Sequence, residues 1–309
     1  MDIIYILIVA LVIEFTIGDP PNQVHPVAWV GKAISFLERF AFIGGKVYQF
    51  IYGIVITLLL TAGVVIALIL FLDWLKDINY WLFIAVAGLL LKVSFCFFYL
   101  RKTALGIKKQ LESGKLGEAR FDLRGLVSRD TSKLSEPYLV SATAESVSES
   151  LCDSVVTPLF YFLIFGVPGA LGFRVVSTFD SMVGYRGKYE FLGKFPARLD
   201  DVLNFIPARI TAGLIILSSV ISGMSARRAL EIARRDNCKT ESPNAGWPMA
   251  AAAGALEVQF EKIGHYKLGD PNRLMTTRII DDSLRLINGA TLIWFVICFA
   301  AGGVIIAVG

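Results

Sequence analysis

The chain alternates long uncharged runs with short, densely charged connections. Residues 47–72 hold no formal charge over 26 residues, enough helix to cross a hydrocarbon core of about 30 Å. Residues 80–100 are apolar apart from Lys92, and residues 290–308 are uncharged. A shorter apolar run, 2–17, carries Glu14. These four segments are the expected spans; 155–173 and 205–224 are further spans or re-entrant segments. The first of these two contains Pro158, Gly166, Pro168, Gly169 and Gly172, which predicts a broken helix. Broken backbone is tolerated at membrane depth only when buried in protein or lining a wet cavity. A second interrupted element follows Ser242, where SPNAGWPMAAAAGALEV gives turn residues and then a helix of small residues, suited to close packing. The pattern predicts an all-α, polytopic integral membrane protein with about 4–6 transmembrane helices, some broken or re-entrant, and polar cytoplasmic loops. It reads as a single membrane-embedded domain over 1–309.

Composition agrees. Hydrophobic residues make up 55% of the chain and charged residues 18%, against about 25% charged in soluble domains. The net charge of +4 is spread over loops that also hold acids, which favours membrane orientation over nucleic-acid binding. The positive-inside rule places the N-terminus outside and the basic loops 15–46, 103–154 and 225–289 in the cytoplasm. The N-terminus MDIIYIL lacks the basic region of a cleavable signal. Cys96, Cys152, Cys238 and Cys298 stand alone, so neither a disulfide framework nor a thiolate metal site is expected.

The charge between Ser128 and Arg209 needs a function. Glu145, Glu149 and Asp153 recur every four residues, inside an arc of about 80° on an ideal helix. Stacked carboxylates repel unless a cation neutralises them, and this stripe runs into the apolar segment VVTPLFY. It is either a solvated face or the acidic wall of a wet cavity. Arg129 and Asp130 either anchor a helix start or join that site. Asp180, Ser181, Tyr185 and Arg186 belong to a glycine-containing loop suited to anionic groups. Asp200, Asp201, Asn204 and Arg209 offer metal ligands beside a cation, or plain helix caps. GDPPNQVHPV holds Asp19, Asn22 and His25 in a turn limited by proline. The chain has no P-loop, GxGxxG, HExxH or GxSxG motif. Two histidines make a zinc site improbable, whereas carboxylates, amides and hydroxyls suit Mg²⁺.

Taken in order, GDPPNQVHPVAWVGKAI, LVSRDTSKLSE, AESVSESLCDSVVTPLFYFLIFGVPGALGFR, STFDSMVGYRGKY, LDDVLNFIPARIT and SPNAGWPMAAAAGALEV resemble the adenosylcobinamide-phosphate synthase family of cobalamin biosynthesis, CbiB/CobD. The resemblance extends from Glu14 to about Val258. It departs at Glu14, where an aspartate is expected, and at Ser177, where asparagine is frequent.

The resemblance implies a multi-pass enzyme of the cell membrane with its active site on the cytoplasmic side. It would be an ATP-dependent amide ligase joining adenosylcobyric acid, a corrinoid, to (R)-1-amino-2-propanol O-phosphate or a related amino-alcohol phosphate. Mg²⁺ and ATP would serve the reaction. Glu145, Glu149, Asp153, Asp200 and Asp201 would share metal binding and amine deprotonation, with Arg129 and Asp130 beside them. Arg129, Arg186 and Arg209 would hold phosphates, with Asp130 and Asp180 as orienters or further ligands. His25, Asp180, Ser181, Tyr185, Asn204, Asn244 and Trp247 complete the expected substrate contacts. The lipid bilayer is the expected surrounding partner, and a homo-oligomer or other membrane-bound corrinoid-pathway enzymes are compatible with the reading. Two alternatives stand beside it: a sensor or regulator of the distantly similar AmpE type, and a transporter.

Overall fold

Helix dominates because the apolar runs far exceed strand length and are rich in leucine, isoleucine and alanine. The computed structural model describes residues 1–20, 23 and 25–308, the last three by backbone alone. Its elements are α1 (Asp2–Thr16), α2 (Pro26–Leu37), α3 (Lys46–Ile78), α4 (Tyr80–Lys92), α5 (Phe97–Glu112), α6 (Leu116–Leu123), α7 (Glu136–Leu151) and α8 (Thr157–Val183). There follow α9 (Lys194–Leu203), α10 (Phe205–Ile221), α11 (Ala226–Asp236), α12 (Gly246–Leu256), β1 (Gln259–Lys262), β2 (Tyr266–Gly269) and α13 (Arg278–Val308). The two strands form an antiparallel hairpin with Phe260 opposite Leu268 and Lys262 opposite Tyr266. A 3₁₀ turn, Glu38–Ile43, follows α2, and a π-helical turn, Cys152–Val156, joins α7 to α8.

Four helical runs are long and apolar enough to cross a membrane: Lys46–Ile78, Tyr80–Glu112, Glu136–Val183 and Arg278–Ile305. Helices α9 and α10 meet at a bend of 48° and together form a fifth, as a broken span or re-entrant loop. The protein is an all-α, polytopic membrane protein. The first apolar run forms α1, of 15 residues, about 22 Å of helix against a hydrocarbon core of about 30 Å. Residues 155–173 are not a separate short segment but lie inside the Glu136–Val183 run.

Two local features shape that run. Gly166 takes φ 66° and ψ −162° and kinks α8, a conformation open to glycine without a Cβ clash. Upstream, Pro158 offers no N–H to the carbonyl of Ser154, and its ring crowds that carbonyl. The backbone widens there into the π turn. A π turn carries an extra residue, so Asp153 departs from the regular helical register that the acidic stripe assumed.

The chain divides into two compact units. The first comprises Met1–Cys96, Thr157–Asn204 and Cys298–Gly309, and the second Phe97–Val156 and Phe205–Ile297. In the first, α1 packs on α4, while α2 and α3 pack on α8. Ile34, Ala41, Ile56, Val175, Phe179, Val183 and Leu192 form a core there. Most of the apolar surface of α3 stays uncovered by protein, as expected of a lipid-facing helix. In the second unit α12 is buried at every position but Trp247 and packs on α7, α10 and α11. A Cβ on Gly254 would strike the backbone of Arg228, so small residues there do permit close approach.

Candidate functional site

In the second unit, α7 carries Glu145 into the interior, where 4% of the residue is exposed. Its Oε1 accepts hydrogen bonds from Arg129 Nη2 at 3.1 Å and from the Tyr266 hydroxyl at 2.9 Å. The other carboxylate oxygen, Oε2, is buried without a hydrogen-bond partner among the described residues, and so is Arg129 Nε. Burial, then the Glu145 and Glu149 carboxylates, push the Tyr266 phenol far above its ordinary range. It therefore remains protonated and donates. Glu149 is half-buried one turn beyond Glu145, and Asp153 is half-buried on the π turn.

Asp130 turns away from its neighbour. Its carboxylate accepts from the Ser132 amide at 2.9 Å and the Ser132 hydroxyl at 3.0 Å, and these bonds hold its pKa below the usual carboxylate value. It shapes the exposed turn before α7. Elsewhere in this unit, Arg209 lies 3.6 Å over the Phe205 ring and 5.1 Å from the Trp247 ring, and donates to Asn244 Oδ1 at 3.1 Å. Arg209, Asn244 and Trp247 thus meet, with the guanidinium presented between aromatic faces.

The first unit holds the remaining candidates. Asn204 is buried at the α9–α10 junction, where it accepts from Thr157 Oγ1 at 2.7 Å and donates to Asp200 Oδ2 at 2.9 Å. Those bonds tie it to structure rather than leaving it open for phosphate. Asp200 Oδ1 is buried without a hydrogen-bond partner among the described residues. Asp180, Asp200 and Asp201 are near enough to perturb one another, and Arg174 acts on Asp200. Asp201 also pairs with Arg198 at 3.6 Å. Ser181 donates to the Ser177 carbonyl one turn back. Tyr185 and Arg186 are exposed in the following loop.

His25 caps α2, its Nδ1 accepting from the Val27 amide at 3.2 Å. Burial lowers its pKa; Asp19 opposes this, while Arg174 and Lys92 add to it. Asn22, from the same turn, lies outside the described residues. Beside this loop Lys92, fully buried, pairs with Glu14 at 2.5 Å and with Asp19. Lys92, Arg174 and Tyr266 were not among the sequence candidates. A lone lysine in an apolar run was a legible signal for the first. Nothing in the sequence pointed to Tyr266, which reaches Glu145 from the hairpin, 121 residues away.

Of the five expected metal carboxylates, Glu145, Glu149 and Asp153 lie in the second unit and Asp200 and Asp201 in the first. Among the described residues no three of His, Cys, Asp and Glu form a group able to hold a metal ion. Mg²⁺ is commonly held by one or two carboxylates together with waters and substrate phosphates, and the open oxygens of Glu145 and Asp200 fit that smaller demand.

The family model for CobD/Cbib proteins matches residues 7–305. Over 297 residues the chain is 57% identical to "Cobalamin biosynthesis protein CobD" of Dehalococcoides mccartyi, covering 96% of each chain. It is 39% identical to "Probable cobalamin biosynthesis protein CobD" of Methanothermobacter thermautotrophicus over 309 residues, covering 100% of each. With "Cobalamin biosynthesis protein CobD" of Klebsiella pneumoniae it shares 36% identity over 300 residues, 90% of this chain and 86% of that one. No solved structure matches the chain. Matched almost from end to end, this chain belongs to the CobD/CbiB family of cobalamin biosynthesis.

Proposed function

We propose that this family member is an ATP-dependent amide ligase that joins the free propionate of adenosylcobyric acid to the amine of (R)-1-amino-2-propanol O-phosphate or a close amino-alcohol phosphate. The observation that carries the reading is one buried ion pair with two open atoms. Glu145 Oε2 and Arg129 Nε, an acceptor and a donor, both lack hydrogen-bond partners among the described residues. Buried polar atoms left unmatched are costly, so such a pair is suited to a ligand that brings both an ammonium and an anionic oxygen.

A carboxylate is a poor acyl donor, and ATP overcomes this. The propionate oxygen takes the γ-phosphoryl group, giving an acyl phosphate and ADP. The amine nitrogen then attacks the acyl carbon, the carbon–oxygen bond to phosphate breaks, and phosphate leaves with the electron pair. Glu145 takes the proton that the ammonium must lose. Arg129 steadies anionic oxygen during transfer, and Tyr266 fixes the orientation of the Glu145 carboxylate. Arg209, stacked on aromatic rings beside Asn244, presents a planar cation to a substrate phosphate. Mg²⁺, when bound, would supply charge neutralisation for the phosphates, and Glu145 is the carboxylate of this unit, with an open oxygen, that would help to hold it. We place the reaction on the cytoplasmic face, the side to which the basic loops 103–154 and 225–289 assign Arg129, Glu145, Asn244 and Tyr266.

The test uses full-length protein in detergent or nanodiscs with adenosylcobyric acid, an amino-alcohol phosphate, ATP and Mg²⁺. Mass spectrometry is expected to find the amide product, with ADP formed in equal amount and no product when the amine is omitted. Absence of product with every amino-alcohol phosphate tried would reject the ligase and favour a regulatory role.

A further inference from the structure

Helix α2 buries one side and leaves the other bare. Ile34 enters the first unit's core, and Val30 and Leu37 pack against that core. Trp29 and Phe36 are 54% and 57% exposed. Seven residues apart, they fall within about 20° of each other on the helix, with Lys32 about 60° away. The exposed apolar surface continues through the 3₁₀ turn, where Phe40, Phe42 and Ile43 are exposed.

This surface is held in place. The Tyr52 hydroxyl donates to the Leu37 carbonyl at 2.9 Å, and the Tyr48 hydroxyl donates to the Phe40 carbonyl at 3.4 Å. Tyr48 and Tyr52 stack, with ring centroids 5.6 Å apart. Lys188 sits 4.8 Å over the Phe42 ring. A segment this well anchored keeps its aromatic residues outward by construction.

We infer that α2 and the 3₁₀ turn form a collar lying in the membrane–water interface, with the bilayer as the partner that covers Trp29, Phe36, Phe40 and Ile43. Position is the first argument. Ile43 lies three residues before α3, whose own exposed apolar face begins at Val47 and Tyr48. The collar therefore stands where a lipid-facing span enters the hydrocarbon, and its bare surface continues that of α3. Composition is the second. Tryptophan and phenylalanine flanked by the exposed cations Lys32, Arg39 and Lys46 match the aromatic belt and the anionic headgroup level. The two arguments do not depend on the ligase reading. A consequence follows for the loop before α2: His25 caps this helix, so docking of the collar sets the height at which His25 stands relative to the lipid.

The experiment places a nitroxide at Trp29→Cys or Phe36→Cys in the full chain, with the exposed native thiol removed by Cys238→Ser. Lys115→Cys on an exposed turn serves as the aqueous reference. The protein is studied in nanodiscs of phosphatidylcholine and phosphatidylglycerol. Labels at 29 and 36 are expected to favour oxygen over a water-soluble nickel chelate, the reverse of the reference. A second variant guards against label artefacts: with Trp29→Ser and Phe36→Ser together, a label at Lys32→Cys is expected to become more accessible to nickel while helicity is retained. Nickel access at 29 and 36 equal to that of the reference would overturn the collar. So would strong spin–spin broadening between copies at those positions, which would make the face a homodimer contact.

Discussion

Two buried charge centres, one in each unit, are built to opposite ends. In the first unit Lys92 sits between Glu14 and Asp19, a cation facing two carboxylates at the boundary of an apolar helix. In the second, Glu145 shares one oxygen between Arg129 and Tyr266 and leaves the other without a hydrogen bond among the described residues, as Arg129 leaves its Nε. The first centre is closed by its own side chains; the second is open to a ligand. Charge at membrane depth is conventionally read as functional, and the contrast shows that the state of each polar atom discriminates better than depth does.

If Lys92 is a closure, removing it should disturb stability before chemistry. Lys92→Met leaves the buried Glu14 carboxylate and the half-buried Asp19 carboxylate without their cation, and breaking a buried pair in this way costs about 3–5 kcal/mol. The expected result is a marked fall in thermal unfolding temperature in detergent. The triple change Lys92→Met, Glu14→Gln and Asp19→Asn should restore much of it, since no charge is then stranded. A stable Lys92→Met protein that has lost only activity would erase the distinction between the two centres.

The open centre should behave in the reverse manner. Glu145→Gln keeps the acceptor for Arg129 and Tyr266 but cannot take a proton, so fold and insertion are expected to survive. Amide formation should fall by about 10²–10³-fold, the range for losing a general base or a charge-stabilising group. Product formation and ADP release, measured separately, sharpen the role. Loss of both places Glu145 at phosphoryl transfer, whereas continued ADP release without amide places it at the amine. Activity near that of the native protein would close this site as a candidate.

How far the sequence reached depends on range. Helix α3 was legible because an uncharged run of that length has few other uses in a folded chain. Arg129, Glu145, Arg209 and Asn244 were legible as charged or amide groups in an apolar setting. The Arg129–Glu145 contact was not, because it depends on the turn that Asp130 shapes before α7. Tyr266 was hidden because the hairpin that delivers it is four residues a strand, too short for periodicity to register. The π turn was written in Pro158, but reading it required knowing that the helix continues through the proline.

A third centre extends the closed class to the protein surface and gives it a pH signature. Asp236 is buried, and burial alone would raise its pKa. Bonds from Arg235 at 2.7 Å, Lys239 at 2.6 Å and the Gly269 amide at 2.8 Å overcome that and bring it down to about 2. A carboxyl depressed on folding contributes stability above its unfolded pKa of about 3.9 and loses it as pH falls through the folded value. The contribution is about 2 kcal/mol, present from neutrality to about pH 4 and gone below about pH 2. Denaturant unfolding of the native protein and of Asp236→Asn should therefore differ at pH 7 and converge in acid. A constant gap across that window would assign the effect to packing.

The smallest expected effect separates two adjacent residues. Arg129 and Asp130 entered as a pair, yet the backbone sends one inward to Glu145 and turns the other outward to Ser132. An asparagine side-chain oxygen can accept the Ser132 amide as an aspartate does, so Asp130→Asn should preserve the turn and leave ligation close to native. Arg129→Lys keeps the charge but lacks the planar fork that reaches the carboxylate, and should lower kcat while the fold is maintained. Equal losses in the two variants would mean that the open centre extends through the turn to Asp130. Unequal losses, with Arg129 alone affected, confine it to the side of the turn that faces α7 and the hairpin.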